Sequence, residues 1–118
     1  MGRRNKNFGD WGEEQAAQFL RRQGFEVLDR NYHAVAGEID IVAIKGGDYY
    51  FIEVKTRRAG ELANDLAVTR AKRIKLGRVV KHYCFRHNIT DSSIISASLL
   101  VVADKLAGTV QFRLAVLY

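Results

Sequence analysis

Two alternating segments joined by a pair of glycines constrain this sequence more than any other feature. Residues 37–45 and 48–55 alternate apolar with polar positions and are rich in β-branched and aromatic side chains. Two such runs separated by a two-residue glycine turn are typical of a β-hairpin, and the turn determines which residues face one another. We therefore predict a hairpin in which Lys45 faces Asp48.

This register gathers charged side chains at the end of the hairpin away from its turn. It places Asp40 opposite Glu53 and Glu38 opposite Lys55. Because side chains alternate between faces, all four project from one side of the ribbon, with opposed Cβ atoms about 5 Å apart. The other side is predicted to be core and carries Ile39, Ile41, Ala43, Tyr50, Ile52 and Val54.

Three carboxylates beside one lysine suggest a bound cation. Two directly opposed like charges destabilise a sheet, and the cost grows with burial. A divalent cation between Asp40 and Glu53 would turn this repulsion into coordination, since Mg²⁺ takes carboxylate oxygens. Lys55 would then contact a phosphate or a water. The competing interpretation is a solvated polar face on which four charges happen to cluster.

The first helix is predicted from about Phe8 to Gln23, after a flexible basic arm at residues 1–7. Glu13 on this helix has two interpretations. Together with Asp10 it has the spacing of a capping box, and as a carboxylate it would complete a metal site. The predicted apolar stripe of the helix consists of Trp11, Ala16, Phe19 and Leu20.

The remaining pattern predicts three further strands, one further helix and a loop. These are strands at about 25–32, 93–103 and 109–117, a candidate mobile flap at 59–67, and a helix from about Thr69 to Arg86. The 118 residues therefore predict one α/β domain, with a central mixed five-stranded sheet flanked by two helices in the order α-β-β-β-α-β-β.

The formal net charge of +6 favours a polyanionic partner if the charge gathers on one face. On the second helix an apolar arc leaves the basic residues on the opposite side. The apolar arc consists of Leu76, Val79, Val80, Tyr83 and Cys84. The residues predicted to bind a nucleic-acid backbone are Arg57, Arg58, Arg70, Lys72, Arg73, Lys75 and Arg78. The alternative is a solvated outer face.

Two absences bear on the cellular location. No apolar run approaches the roughly 20 residues that span a bilayer, so no membrane association is expected. The single cysteine, Cys84, excludes an internal disulfide. We therefore expect a cytoplasmic protein.

Several separated motifs together point to a known family. They are Gly9-Asp10-Trp11-Gly12-Glu13 with Ala16 and Leu20, Asn31, Gly37-Glu38-Ile39-Asp40, Glu53-Val54-Lys55 with Arg57, and Val68-Thr69 with Lys72-Arg73. With this order of elements, the chain resembles the PD-(D/E)XK nuclease core, which is restriction-endonuclease-like. More closely, it resembles the YraN-like family of small bacterial proteins, which are similar to archaeal Holliday junction resolvases.

The resemblance implies a site and its chemistry. Glu13, Asp40 and Glu53 would bind one or two Mg²⁺ or Mn²⁺ ions, with Asp40, Glu53 and Lys55 as the catalytic residues. Lys55 would help to position the attacking water, and Glu38 would support Lys55. The resemblance to the resolvases also implies a homodimer.

The chain departs from the pattern at two places. Ile39 stands where the superfamily name has Pro, which leaves the ligand Asp40 in place. The family often has Arg-Phe-Asp on its fourth strand, where this chain has Ser96-Ala97-Ser98, so a supporting acidic contact is not expected.

From these observations we expect a metal-dependent DNA endonuclease that is selective for branched structures. A second hypothesis is a nucleic-acid-binding accessory protein of repair or recombination that keeps the fold without turnover. A third is a structural or partner-binding domain whose carboxylates bind no metal.

Overall fold

The computed structural model describes residues 2–61, 70–90 and 92–117. In chain order its elements are α1 (Gly2–Arg22), β1 (Glu26–Ala34), β2 (Gly37–Lys45), β3 (Asp48–Arg58), α2 (Arg70–Arg86), β4 (Ile94–Asp104) and β5 (Thr109–Val116). They confirm the predicted single α/β domain with one five-stranded sheet and two helices. The predicted helix cap Thr69 and most of the predicted loop at 59–67 lie outside the described residues.

The sheet is mixed because one of its junctions is parallel. The strands lie in the order β1-β2-β3-β4-β5, and β3 pairs with β4 in parallel while the other neighbours are antiparallel. A parallel pair needs a long crossover connection, and α2 lies within that connection. The topology therefore places α2 between the third and fourth strands, as the order of patterns predicts.

Each helix covers one face of the sheet. Residues Ile41 and Ile52 pack with Ala16, Ala17 and Leu20 of α1. On the other face, Val42 and Phe51 pack with Val79, Val80 and Tyr83 of α2, which confirms the predicted apolar arc of this helix. Neighbouring residues of β2 and β3 thus pack into two different cores, as alternation along a strand requires.

Neither helix in the described part of the chain is long and apolar enough to cross a membrane.

The first helix begins earlier than the sequence predicts. It starts at Gly2 rather than near Phe8, so residues 2–7, predicted to be a flexible arm, form its first turns. Asp10 and Glu13 therefore lie inside the helix, and the capping-box interpretation of Glu13 is wrong. The sequence pattern missed this start because residues 2–7 are polar and basic and carry no apolar periodicity.

The hairpin has the predicted register only near its turn. Pairing runs from Lys45 and Asp48 to Ile41 and Ile52 and ends there, so the predicted facing pairs Asp40–Glu53 and Glu38–Lys55 are not part of the ladder. Alternation also breaks at this point. Ile39 packs on the α2 side, whereas Ile41 packs on the α1 side, although both were expected on one face.

A close approach between α1 and β3 requires a glycine in the helix. A Cβ added at Gly12 would lie 2.6 Å from Cγ2 and 2.8 Å from Cβ of Thr56, and closer still to the Thr56 hydroxyl. Real Cβ contacts are not this short, so any side chain at this position would push the helix away from the strand. At Gly9, one turn earlier, an added Cβ would meet none of the residues that the structure describes within 4 Å.

We therefore expect the two glycines to respond differently to alanine. Gly12→Ala should lower the free energy of unfolding by about 1–3 kcal/mol because it overpacks the contact with Thr56. Gly9→Ala should be neutral or stabilising by up to about 1 kcal/mol, since alanine favours a helix. Urea unfolding followed by circular dichroism measures both. Equal effects of the two substitutions would contradict this account of the helix–strand contact.

Candidate active site

An open cavity of about 1070 Å³ lies where the hairpin ladder ends. Glu13 from α1, Asp40 from β2, and Glu53 and Lys55 from β3 all line it. These are the four residues that were predicted to form the metal and catalytic site, and they come from three separate elements of the chain. The fold therefore brings them into one shared pocket.

The β2–β3 ladder ends before Asp40, and a side-chain oxygen of Asp40, rather than a backbone carbonyl, accepts a hydrogen bond from β3. The N–H of Val54 donates a hydrogen bond of 2.7 Å to Oδ2 of Asp40. Burial raises the pKa of Asp40 to about 6, a shift that this hydrogen bond opposes and that the negative charges of Glu13, Glu53 and Glu38 increase. A neighbouring positive charge would lower this pKa again, because it would stabilise the ionised form.

Glu13 lies deeper than a residue on a solvated helix face. Its side chain is 12% exposed, and its Oε1 lies 3.7 Å from Nη2 of Arg30. That oxygen is buried and accepts no hydrogen bond within the described structure. Burial raises the pKa of Glu13, while Arg30 and a hydrogen bond with Asn31 lower it. A buried carboxylate oxygen without a hydrogen bond is costly, and a bound cation would reduce that cost.

Arg30 is a site residue that the sequence analysis missed. It lines the cavity from β1 and bridges two acidic residues of α1. Its Nη1 donates a 2.6 Å hydrogen bond to Oε2 of Glu14, and its Nη2 approaches Glu13. The nearest signal in the sequence was Asn31, one of the residues that carry the resemblance. The structure gives Asn31 a left-handed backbone with φ 54°. A strand pattern alone does not tell which residue of β1 faces the helix.

Lys55 is held close to the carboxylates. Its side chain is 10% exposed, and its Nζ lies 3.5 Å from Oε1 of Glu53. A buried ammonium group needs such a partner, because desolvation without one is costly. Glu38, the predicted partner of Lys55, instead pairs with His33 at 3.2 Å. Glu38 still lines the cavity, and its charge contributes to the raised pKa of Asp40.

The fourth strand carries a small polar residue beside the site. Ser98 pairs with Glu53 in the parallel ladder between β3 and β4. It is buried, and its Oγ has no hydrogen-bond partner in the part of the chain that the structure describes. It lies in the segment Ser96-Ala97-Ser98, so β4 adds no charge next to Glu53 at this position.

The side chains fit a divalent cation in chemistry but are not preassembled around one. Among the described residues, no three His, Cys, Asp or Glu side chains are grouped closely enough to hold a metal ion. However, Oε1 of Glu13 accepts no hydrogen bond from the described residues, and burial together with neighbouring carboxylates raises the pKa of Asp40, so added positive charge would stabilise both groups. The donors are carboxylate oxygens, which Mg²⁺ and Mn²⁺ prefer. Binding would therefore draw Glu13, Asp40 and Glu53 together.

A second cavity, of about 380 Å³, opens on the α2 side of the same carboxylates. Asp40 and Glu53 line both cavities, and Lys72 and Lys75 of α2 line the second. The other predicted backbone-binding residues divide into two groups. Arg57 and Arg58 line the larger cavity, whereas Arg70, Arg73 and Arg78 are exposed on α2 and are not among the described residues that line either cavity.

The raised pKa of Asp40 predicts how stability depends on pH. The folded pKa of about 6 lies above the unfolded value of 3.8, so the native state keeps a proton that the unfolded state releases. Without metal, the contribution of Asp40 to the free energy of unfolding should therefore fall by on the order of 2–3 kcal/mol as pH rises from about 4 to about 6.

Asp40→Asn tests this dependence because it keeps an oxygen that accepts the Val54 hydrogen bond but cannot ionise. We expect the variant to be more stable than the wild type near neutral pH in EDTA, with the difference vanishing near pH 4. Urea unfolding at several pH values measures it, and Glu26→Gln, at an exposed position of β1, serves as the control. Parallel pH profiles of Asp40→Asn and wild type would contradict the assignment.

Comparison with known proteins agrees with the motif pattern. The model of the family described as "Uncharacterised protein family UPF0102" matches residues 12–106. A UPF0102 protein of Roseiflexus castenholzii is 44% identical over 94 residues, which cover 78% of this chain and 74% of that protein. One of Helicobacter hepaticus is 38% identical over 100 residues, which cover 85% and 87%. The chain therefore belongs to the UPF0102 family, whose members are YraN-like.

Proposed function

We propose that this protein is a metal-dependent nuclease that hydrolyses phosphodiester bonds of DNA. The observation that carries the proposal is the shared cavity, in which carboxylates from α1, β2 and β3 lie beside a buried lysine. Such a group of like charges costs stability and is difficult to explain by packing alone. The order of elements and the Asp40 and Glu53-Val54-Lys55 motifs, which resemble the restriction-endonuclease-like core, give the reaction class.

The metal would be held by Glu13, Asp40 and Glu53. When bound, Mg²⁺ or Mn²⁺ supplies Lewis-acid chemistry: it lowers the pKa of a water molecule and stabilises negative charge on the phosphate. The side chains contribute the preorganised negative donors. The hydrogen bond from Val54 fixes one oxygen of Asp40, a residue that lines the cavity.

Lys55 would act on the substrate directly. Its ammonium group is mostly buried and lies beside Glu53, so its position is restricted. A restricted cation can donate hydrogen bonds to a phosphate oxygen or orient the attacking water without losing much entropy on binding. This role differs from that of the exposed lysines and arginines, which would bind the backbone on either side.

The basic residues around the two cavities would hold DNA by its phosphates. Arg57 and Arg58 lie at the larger cavity, and Lys72 and Lys75 at the smaller one. Phosphate contacts position a duplex but carry no sequence information. Selectivity would therefore come from the shape of the DNA, which fits endonucleolytic action on branched structures in repair or recombination.

A second candidate function is DNA binding without turnover, as an accessory factor in repair or recombination. The observations that favour it are the ion pairs of Glu13 with Arg30 and of Glu53 with Lys55, which partly neutralise two of the carboxylates. Ser98 beside Glu53 adds no acidic donor. The nuclease assay below separates the two functions.

Cleavage of labelled linear, flap and four-way DNA in Mg²⁺ or Mn²⁺ tests the proposed reaction. We expect Asp40→Asn to lower the cleavage rate by about a hundredfold or more, because it removes a charged donor from the reacting centre. Salt-dependent binding of the same DNA should remain, since the phosphate-binding residues are unchanged. An Asp40→Asn variant as active as the wild type would exclude the mechanism. A wild type that binds but never cleaves would favour the accessory function.

Glu13 and Glu14 provide a matched pair for testing metal binding. Both contact Arg30, but only Glu13 lines the cavity with a buried oxygen. We expect Glu13→Gln to weaken Mn²⁺ binding by about tenfold or more, because it removes a negative donor, and Glu14→Gln to leave it unchanged. Isothermal titration calorimetry with Mn²⁺ measures both. Equal affinities of the two variants would show that Glu13 is not a ligand.

A further inference from the structure

An aromatic pair lies on α1 beside the larger cavity, with Phe8 half-buried and Trp11 exposed. The rings of Phe8 and Trp11 are nearly parallel, with planes 7° apart and centroids separated by 5.8 Å. Trp11 was predicted to belong to the apolar stripe with Ala16 and Leu20. Those two residues are buried, but Trp11 is 36% exposed. Trp11 therefore lies on a part of α1 that the core does not fully cover.

A cationic side chain links the aromatic pair to the cavity. The guanidinium carbon of Arg58 lies 4.3 Å from the centroid of the Phe8 ring. Phe8 and Arg58 both line the cavity, and Lys6 lines it from the same end of α1. A flat aromatic surface and positive side chains therefore border the pocket that holds the carboxylates.

The helix surface next to these rings carries no side chain at Gly9. Gly9 also lines the cavity, and a side chain there would meet none of the described residues within 4 Å. Glycine inside a helix costs about 1 kcal/mol relative to alanine. For Gly12 the contact with Thr56 explains this cost, whereas no packing contact among the described residues explains it for Gly9. This surface leaves room for a flat ligand beside the aromatic pair.

We propose that the exposed ring of Trp11, supported by Phe8, stacks an unpaired base of a DNA strand whose backbone enters the larger cavity. Proteins bind single strands by combining aromatic surfaces, on which bases stack, with cations that follow the phosphates. Both parts are present here, with Arg58 in contact with the Phe8 ring and lining the cavity. The inference rests on the proposed function and adds a substrate preference: the cleaved strand has an unpaired nucleotide next to the reacting phosphate.

Trp11 makes the proposal directly measurable because it is the only tryptophan of the chain. The full chain carrying Asp40→Asn, which prevents cleavage, is titrated in Mg²⁺ with a thymidine oligonucleotide. An abasic oligonucleotide of equal length serves as the control ligand, since it has the same charge but no bases. We expect the thymidine strand to quench Trp11 fluorescence and the abasic strand to leave it nearly unchanged. Equal fluorescence changes with both strands, or no change while anisotropy shows binding, would overturn the proposal.

A matched pair of aromatic substitutions tests the contribution to affinity. Trp11→Leu should weaken binding of the thymidine strand by about tenfold, the loss expected for one stacked base. Phe85→Leu changes an aromatic side chain that is 87% exposed on α2, and it should leave the affinity unchanged. Equal affinities of the two variants would overturn the proposal, provided that circular dichroism shows both to be folded.

The outcomes for stacking and for nuclease activity are independent. Cleavage by the wild type without quenching of Trp11 would remove the stacking proposal and keep the nuclease. Base-dependent quenching without any cleavage would keep the stacking site and favour the accessory function.

Discussion

The hydrogen bond from the Val54 N–H to Asp40 determines how the site is built. In a continuing antiparallel ladder, backbone carbonyls of one strand accept from the other. Here a carboxylate takes that role at 2.7 Å, and the β2–β3 ladder ends one residue before it. Where the ladder pairing stops, one cavity lies on the α1 side and a smaller one on the α2 side. Asp40 and Glu53 border both cavities because they lie where the sheet opens.

The two cores hold this opening in place against its electrostatic cost. Burial and neighbouring carboxylates raise the pKa of Asp40, so the ionised site destabilises the fold in the absence of a cation. The apolar clusters on both faces of β2 and β3 supply the compensating stability. Gly12 lets α1 approach Thr56, and this contact sets the position of the adjacent Glu13 over the cavity. Strain of this kind is common where a protein binds a ligand, since the ligand relieves it.

The sequence predicted local features more accurately than distant ones. The hairpin register near its turn and the apolar arc of α2 depend on residues close together in the chain, and both are confirmed. The predicted partner of Glu38, Lys55, was wrong because Glu38 pairs instead with His33, which lies on β1 outside the hairpin pattern. Arg30 was missed for the same reason. The start of α1 was wrong because its first turns carry no apolar periodicity from which a helix can be read.

The sequence by itself determined the order of elements, the two amphipathic faces and the residue types available to the site, because alternation and helical periodicity are properties of neighbouring positions. Only the tertiary structure decided that the ladder ends before Asp40, that an oxygen of Glu13 is buried beside Arg30, and that Trp11 stays exposed near the cavity. These features arise from competition between strand pairing, helix packing and the solvation of charge. That competition is settled by contacts between residues far apart in the chain, which no local pattern contains.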